Sequence, residues 1–137
     1  MNEEPVDQSA VASGVHHHLG IEMVLVTPEK VVLSVVVGPK LQQPYGILHG
    51  GVSALLAESA ASIGGAVSVE PGYIVVGTEL NCSHLRSMSA GTLTATATPI
   101  RKGRTVHVWG VELTDDDGRL ICVARCSLQV LRAPSSQ

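Results

Sequence analysis

The sequence predicts an α+β domain in which a curved antiparallel sheet of about six strands wraps round one long central helix. Two observations carry this prediction. A proline-free, Ala- and Leu-rich segment at 51–67 is apolar nearly all round, and six strand-like runs are separated by Gly, Pro or Asp turns. A helix without a polar face is normally buried, and an antiparallel sheet is the simplest layer that buries it.

The chain ends are polar and predict flexible segments at 1–12 and 133–137, with one domain over 13–132. The acidic N-terminus lacks an apolar signal core, so we expect a cytoplasmic protein. No run approaches the roughly 20 apolar residues of a membrane span, so we expect no membrane partner.

Residues 14–20 predict a short helix or turn. Neighbouring side chains point in different directions, so His16–His18 does not predict a metal site.

The strand-like runs follow in order along the domain. Ile21–Val26 and Val31–Val37 are β-branched, and the proline turn between them predicts a hairpin. The helix is predicted from Gly51 to Val67. After the break at 70–72, four more runs are expected to form an antiparallel meander with a hairpin turn at Asp115–Gly118: 73–85, 91–100, 105–114 and 119–131.

Composition excludes some classes of function. A net charge of −3 and only three aromatic residues argue against nucleic-acid binding, which uses a basic face with stacking rings. The three cysteines lack the spacing of a zinc site. On one strand, Cys122 and Cys126 would lie about 13 Å apart, too far for a disulfide, so we expect buried reduced thiols.

Glu58 is the only formally charged residue between Lys40 and Glu70. Burying an unpaired carboxylate costs several kcal/mol or forces it to keep its proton, so its place in an apolar helix indicates a function. The alternative is a structural carboxylate that is paired across a dimer. His49 precedes Glu58 by nine residues, about 13 Å on a straight helix, so one chain does not easily bring both to one centre. Two antiparallel helices related by a two-fold axis would, which predicts a dimer with sites between subunits.

The start of the helix adds hydrogen-bond donors to this pattern. The first N–H groups of a helix have no internal partner and carry partial positive charge, so Gly50 and Gly51 predict an oxyanion pocket. Gln43 offers an amide N–H, and Ser62 lies one turn after Glu58. Together these groups suit attack on an activated carbonyl. Simpler roles stay open: His49 as a cap, Gln43 as an ordinary loop amide and Ser62 as a small packing residue.

Five motifs lie between about Leu19 and Leu131: Gln43-Pro44-x-Gly46-x-x-His49-Gly50-Gly51, Ala57-Glu58-Ser59, Asn81-x-x-His84-x-Arg86, Gly103-Arg104-Thr105 and Asp117-Gly118-Arg119. Together they resemble the hotdog-fold acyl-CoA thioesterases, in the phenylacetate-pathway (PaaI-like) and Arthrobacter-type 4-hydroxybenzoyl-CoA thioesterase branch. This resemblance implies a dimer with two intersubunit sites, usually assembled into a tetramer. It implies no cofactor or metal, since coenzyme A is part of the substrate.

The resemblance also implies roles for individual residues. Glu58 would be the catalytic carboxylate, as nucleophile or general base, and the Gly50 N–H would polarise the thioester carbonyl with help from Gln43 or His49. Substrate contacts would come from Ser62, His84, Asn81, Arg86 and Arg104. His84 as a core histidine and the arginines as solvated surface are the alternatives.

The function expected is therefore an acyl-CoA thioesterase for a compact acyl group, with an aromatic group as the expectation. A non-catalytic acyl-CoA-binding module and a dehydratase of hydroxyacyl thioesters on the same fold are the alternative functions, because a fold alone does not fix a function.

Overall fold

The computed structural model describes residues 4–135, which contain two α-helices and six strands in one antiparallel sheet. The helices are α1 (Gly14–Leu19) and α2 (Gly50–Ala66), and short 3-10 turns occur at Ser9–Val11 and Pro39–Leu41. The strands are β1 (Glu22–Thr27), β2 (Lys30–Val36), β3 (Tyr73–His84), β4 (Thr92–Lys102), β5 (Val106–Thr114) and β6 (Leu120–Arg132). The predicted α+β class, the central helix and both hairpin turns are confirmed.

α2 is packed across the sheet and contacts all six strands. Its buried side chains include Leu56, Ala57, Ala60 and Ala61. A Cβ placed on Gly64 would stand 2.5 Å from the Trp109 ring, so only a glycine lets the helix approach the sheet this closely. The sequence therefore gives α2 small residues where it meets the largest buried side chain.

The strand order corrects one prediction. The order is β1-β2-β4-β5-β6-β3, so β4, β5 and β6 form a meander, but β3 pairs with β6 at the sheet edge and β4 pairs with β2. The prediction of a four-strand meander is wrong for β3. The reason is the helix: its 17 residues are about 25 Å long, enough to carry the chain past the four strand spacings, roughly 19 Å, that separate β2 from β3.

The N-terminal segment contacts the domain before residue 13. The Gln8 side chain pairs with the backbone of Met23 through two hydrogen bonds of 2.8 and 2.9 Å, and Val11 is buried in the core. His16 in α1 is hydrogen-bonded to Ser59 of α2 at 2.7 Å. Residues 1–3 and 136–137 of the predicted flexible ends lie outside the described residues. Within 4–135, no helix has the length and apolarity needed to cross a membrane.

Candidate active site

His49 caps the N-terminus of α2. Its Nδ1 accepts a hydrogen bond of 2.8 Å from the Gly51 N–H. A neutral imidazole that accepts at Nδ1 carries its proton on Nε2, so the Nε2–H group is a hydrogen-bond donor. The capping role considered from the sequence is therefore real, and it leaves one N–H of His49 free to bind a substrate.

A cavity of about 370 Å³ lies beside the start of α2. Gly50 lines it, and the Gly50 N–H makes no hydrogen bond within residues 4–135. Gln43 also lines it, and its Oε1 accepts from the Tyr45 N–H, which leaves the amide N–H groups of Gln43 as donors. The same cavity contains His84 and Arg86, so four residues predicted from the motifs meet at one place.

His84 on β3 packs directly on the helix start. A Cβ on Gly50 would stand 3.0 Å from both Cε1 and Nε2 of the His84 ring. A glycine at the first position of α2 therefore leaves room for the imidazole beside the helix start. His84 lines the cavity, whereas His49, which caps the helix from the loop, is not among the residues that line it.

Glu58 is exposed and lies two turns along α2, against β3. A Cβ on Gly77 would stand 2.8 Å from Glu58 Oε1. Neither Glu58 nor Ser62 lines the cavity at the helix start. Eight residues of helix separate Glu58 from Gly50, about 12 Å, so this chain alone does not bring the carboxylate to the free N–H.

A second, larger cavity of about 550 Å³ lies at the opposite end of α2. It is lined by Tyr73, Lys102, Arg104 and the buried His107, among others. Lys102 is already engaged with Glu29 at 2.7 Å, whereas Arg104 forms no ion pair within residues 4–135. The predicted Gly103-Arg104-Thr105 motif therefore places a free cation at this cavity.

The three thiols on β3 and β6 are not suited to nucleophilic attack. Burial raises the pKa of Cys122 to about 12. Burial, and then the charge of Glu58, raises the pKa of Cys126 to about 11. Burial also raises the pKa of Cys82, and none of the three thiols forms a disulfide. Because a thiolate is the reactive form, the carboxylate is the stronger nucleophile candidate in this region.

Asn81 also lies away from both cavities, and other residues around the site have no sequence motif that predicts them. Asn81 stands opposite Arg125 on the sheet face turned away from α2. Ser53 is only 1% exposed, yet it lines the first cavity, and a hydroxyl in an apolar helix was the available signal. The contact of Gly77 with Glu58 and the place of His107 depend on strand pairing, which no local motif indicates.

One long helix laid across a six-stranded antiparallel sheet is the architecture of the hotdog fold, and the free N–H at the helix start suits the binding of a thioester carbonyl. The family model of the thioesterase superfamily matches residues 45–122, more than half of the chain, and the chain belongs to that superfamily. The predicted hotdog fold and the prediction of a thioester hydrolase are thereby confirmed.

Similar proteins agree with this assignment. A 1,4-dihydroxy-2-naphthoyl-CoA hydrolase from Listeria monocytogenes is 48% identical over 117 residues, 85% of this chain and 95% of that protein. A proofreading thioesterase EntH from Cronobacter turicensis is 35% identical over 131 residues, 96% of this chain and 95% of that protein. The crystal structure of a Haemophilus influenzae thioesterase aligns with a TM-score of 0.89 and 35% identity, over 95% of this chain and 91% of that one.

Proposed function

We propose that the protein hydrolyses the thioester of a compact aromatic acyl-CoA to the free acid and coenzyme A. The observation that carries this proposal is the unbonded Gly50 N–H at the start of α2, which borders a cavity with the Gln43 amide. The similar Listeria protein is named for an aromatic acyl-CoA, 1,4-dihydroxy-2-naphthoyl-CoA, which supports the choice of acyl group.

The proposed site polarises the thioester carbonyl from one side. The Gly50 N–H donates to the carbonyl oxygen, and the helix dipole adds partial positive charge there. The amide of Gln43 and the Nε2–H of His49 are the further donors. Negative charge that develops on this oxygen is stabilised by groups whose positions are fixed before substrate binds, which is the main requirement for rapid acyl transfer.

The reacting carboxylate is proposed to come from a second copy of the chain. Within one chain, Glu58 lies about 12 Å from Gly50 along the helix. β3 is a twelve-residue edge strand whose exposed residues include Tyr73, Ile74 and Val76. The unpaired backbone N–H and C=O groups of such an edge strand are a template for pairing with another strand. Pairing of β3 with its symmetry mate satisfies the edge and adds the missing Glu58.

Two contacts set the register of that pairing. Glu58 lies against Gly77, and Gly50 lies against His84. Gly77 and His84 are both on β3, so each gives the position along this strand of one half of the proposed site. Bringing the partner's Gly50 to Glu58 places the partner's His84 near Gly77. In an antiparallel pair, the two-fold axis then passes midway between these positions, close to residues 80–81 of β3.

Glu58 is proposed to act in one of two ways. As a nucleophile, its carboxylate adds to the carbonyl carbon, the C–S bond breaks, and CoA leaves as a thiol once protonated. Water then hydrolyses the anhydride and restores Glu58. As a general base, it removes a proton from a water that adds directly. Ser62, one turn away, is proposed to hold that water. A single turnover in ¹⁸O-water labels Glu58 only by the first route.

The coenzyme A portion is proposed to bind at the second cavity. In the register above, Tyr73 approaches the partner's segment 86–88, which would bring the partner's Arg86 toward Arg104. Two arginines suit the phosphates of coenzyme A, because guanidinium groups bind phosphate through paired N–H donors. A substrate contact of Asn81, a tetramer of two such dimers and a cytoplasmic location stay predictions.

A thiol-release assay tests the proposal. Aromatic, short-chain and long-chain acyl-CoAs are compared, and the aromatic esters are expected to have the highest kcat/KM. Glu58→Ala is expected to lose about 2 to 4 kcal/mol of transition-state stabilisation, roughly 30- to 1000-fold in rate. Glu112→Ala, which removes an exposed carboxylate on β5, is the matched control and should keep wild-type turnover. Full activity of Glu58→Ala would contradict the proposed function.

A further inference from the structure

Gly77 on β3 lies beneath the carboxylate of Glu58. A Cβ at this position would stand 2.8 Å from Oε1, 3.1 Å from Cδ and 3.4 Å from Cγ of Glu58. We infer that Gly77 is a positioning residue: its bare backbone sets the depth at which the catalytic carboxylate rests. This inference depends on the catalytic role proposed for Glu58.

The backbone conformation does not require a glycine here. Gly14, Gly20, Gly46, Gly72, Gly91 and Gly118 have positive φ, whereas Gly77 does not. A glycine inside a strand weakens it, because it loses more conformational freedom and packs no side chain. A strand glycine with ordinary dihedrals is instead explained by a close approach from another group. The three atoms that a Cβ at Gly77 would meet first all belong to the side chain of Glu58.

A β-bulge next to Gly77 supports the same interpretation. Gly77 pairs with Leu128 and Glu79 pairs with Ser127, so Thr78 is an extra residue in β3. Side chains alternate along a strand, and positions seven residues apart would normally face opposite sides of the sheet. The extra residue restores Gly77 and His84 to the same side, facing α2. The bulge thus lets one strand support Glu58 at one end and the Gly50 N–H at the other.

The test is Gly77→Ala, assayed with the acyl-CoA that wild type hydrolyses fastest. An ordinary contact needs 3.4 Å where 2.8 Å is available, so Oε1 must move by at least 0.6 Å. The Glu58 side chain is flexible, so the fold tolerates the shift, but misplacement on this scale costs up to about 100-fold in rate. We expect kcat to fall roughly 10- to 100-fold with little change in KM or unfolding temperature.

Gly110→Ala is the matched control, since Gly110 is also a strand glycine and the nearest atom to its added Cβ lies 3.5 Å away. It should keep wild-type kcat. A second pair tests the route of action. Glu58→Asp withdraws the carboxylate by one methylene, so adding Gly77→Ala to it should cost less than about threefold.

Equal losses in both backgrounds would assign Gly77 a general structural role and overturn the inference, as would wild-type kcat in Gly77→Ala. Failure of the proposed function is a different result. In that case, Glu58→Ala itself would retain full turnover.

Discussion

Mixing two inactive variants gives the sharpest test of the intersubunit site. Gln43→Ala removes a donor from the cavity at the helix start, and Glu58→Ala removes the carboxylate about 12 Å away on the same helix. Each variant alone is expected to lose roughly 30- to 1000-fold in turnover. If the two residues come from different chains, a mixed dimer contains one site with neither substitution and one site with both.

The recovered activity can be calculated. Random assembly of equal amounts of the two chains makes half of the dimers mixed, and each mixed dimer has one intact site of two, so turnover per chain should return to about 25% of wild type. Assembly of dimers into tetramers does not change this fraction, because each dimer contributes its sites independently. The recovered activity stands well above the roughly 3% or less expected from either variant.

The measurement is thiol release by co-expressed chains that carry different affinity tags, with the chain ratio checked by mass spectrometry. Co-expression of Glu58→Ala with Glu58→Gln is the control, since no arrangement of these two chains restores a carboxylate. Turnover that stays at the level of the separate variants would mean that Gln43 and Glu58 act from one chain. The two-fold arrangement would then be abandoned.

Three further predictions concern packing, pH and strand pairing. Gly64→Ala should lower the free energy of unfolding by about 1 to 3 kcal/mol in urea titrations, because its Cβ would stand 2.5 Å from the buried indole ring, and an unchanged midpoint would contradict this packing. Burial and then the charge of Lys102 lower the pKa of His107 from 6.5, so as the pH falls the unfolded chain takes up a proton at this histidine before the folded chain does. The free energy of unfolding should therefore fall as the pH drops below 6.5, and it should fall more in the wild type than in His107→Gln. Asn81→Cys should form an intersubunit disulfide on mild oxidation, whereas Thr98→Cys, exposed on β4, should not; equal yields would exclude the proposed register.

Local sequence patterns predict the elements of this fold well. The helix is expected from Gly51 to Val67 and is found from Gly50 to Ala66, because a glycine pair and a proline break bound its apolar run. The hairpin turns follow from their Pro, Asp and Gly residues for the same reason. Strand order does not follow from such patterns. β3 and β4 are neighbours in sequence but lie apart in the sheet, because α2 delivers the chain to the far edge.

The same difference between local patterns and strand pairing applies to the candidate site. Residues close in sequence to the helix start, such as Gln43, His49 and Gly50, share one short motif, and the structure places them together. Glu58 stands out from the sequence because it is the only charged residue in an apolar helix, although in the single chain its side chain is exposed and pays no burial cost. Gly77 has no such signal, since its contact exists only when β3 lies under α2.

The contacts between α2 and β3 are reciprocal, and this accounts for the geometry of the whole site. Gly50 on the helix makes room for His84 of the strand, and Gly77 on the strand makes room for Glu58 of the helix. Each element thus supports a functional group of the other, at two points separated by eight residues of helix and seven of strand. In the proposed dimer, a two-fold partner that is reversed in direction would superimpose the first point of one chain on the second point of the other. The distance that prevents a single chain from assembling the proposed site is therefore the distance that would determine how two chains pair.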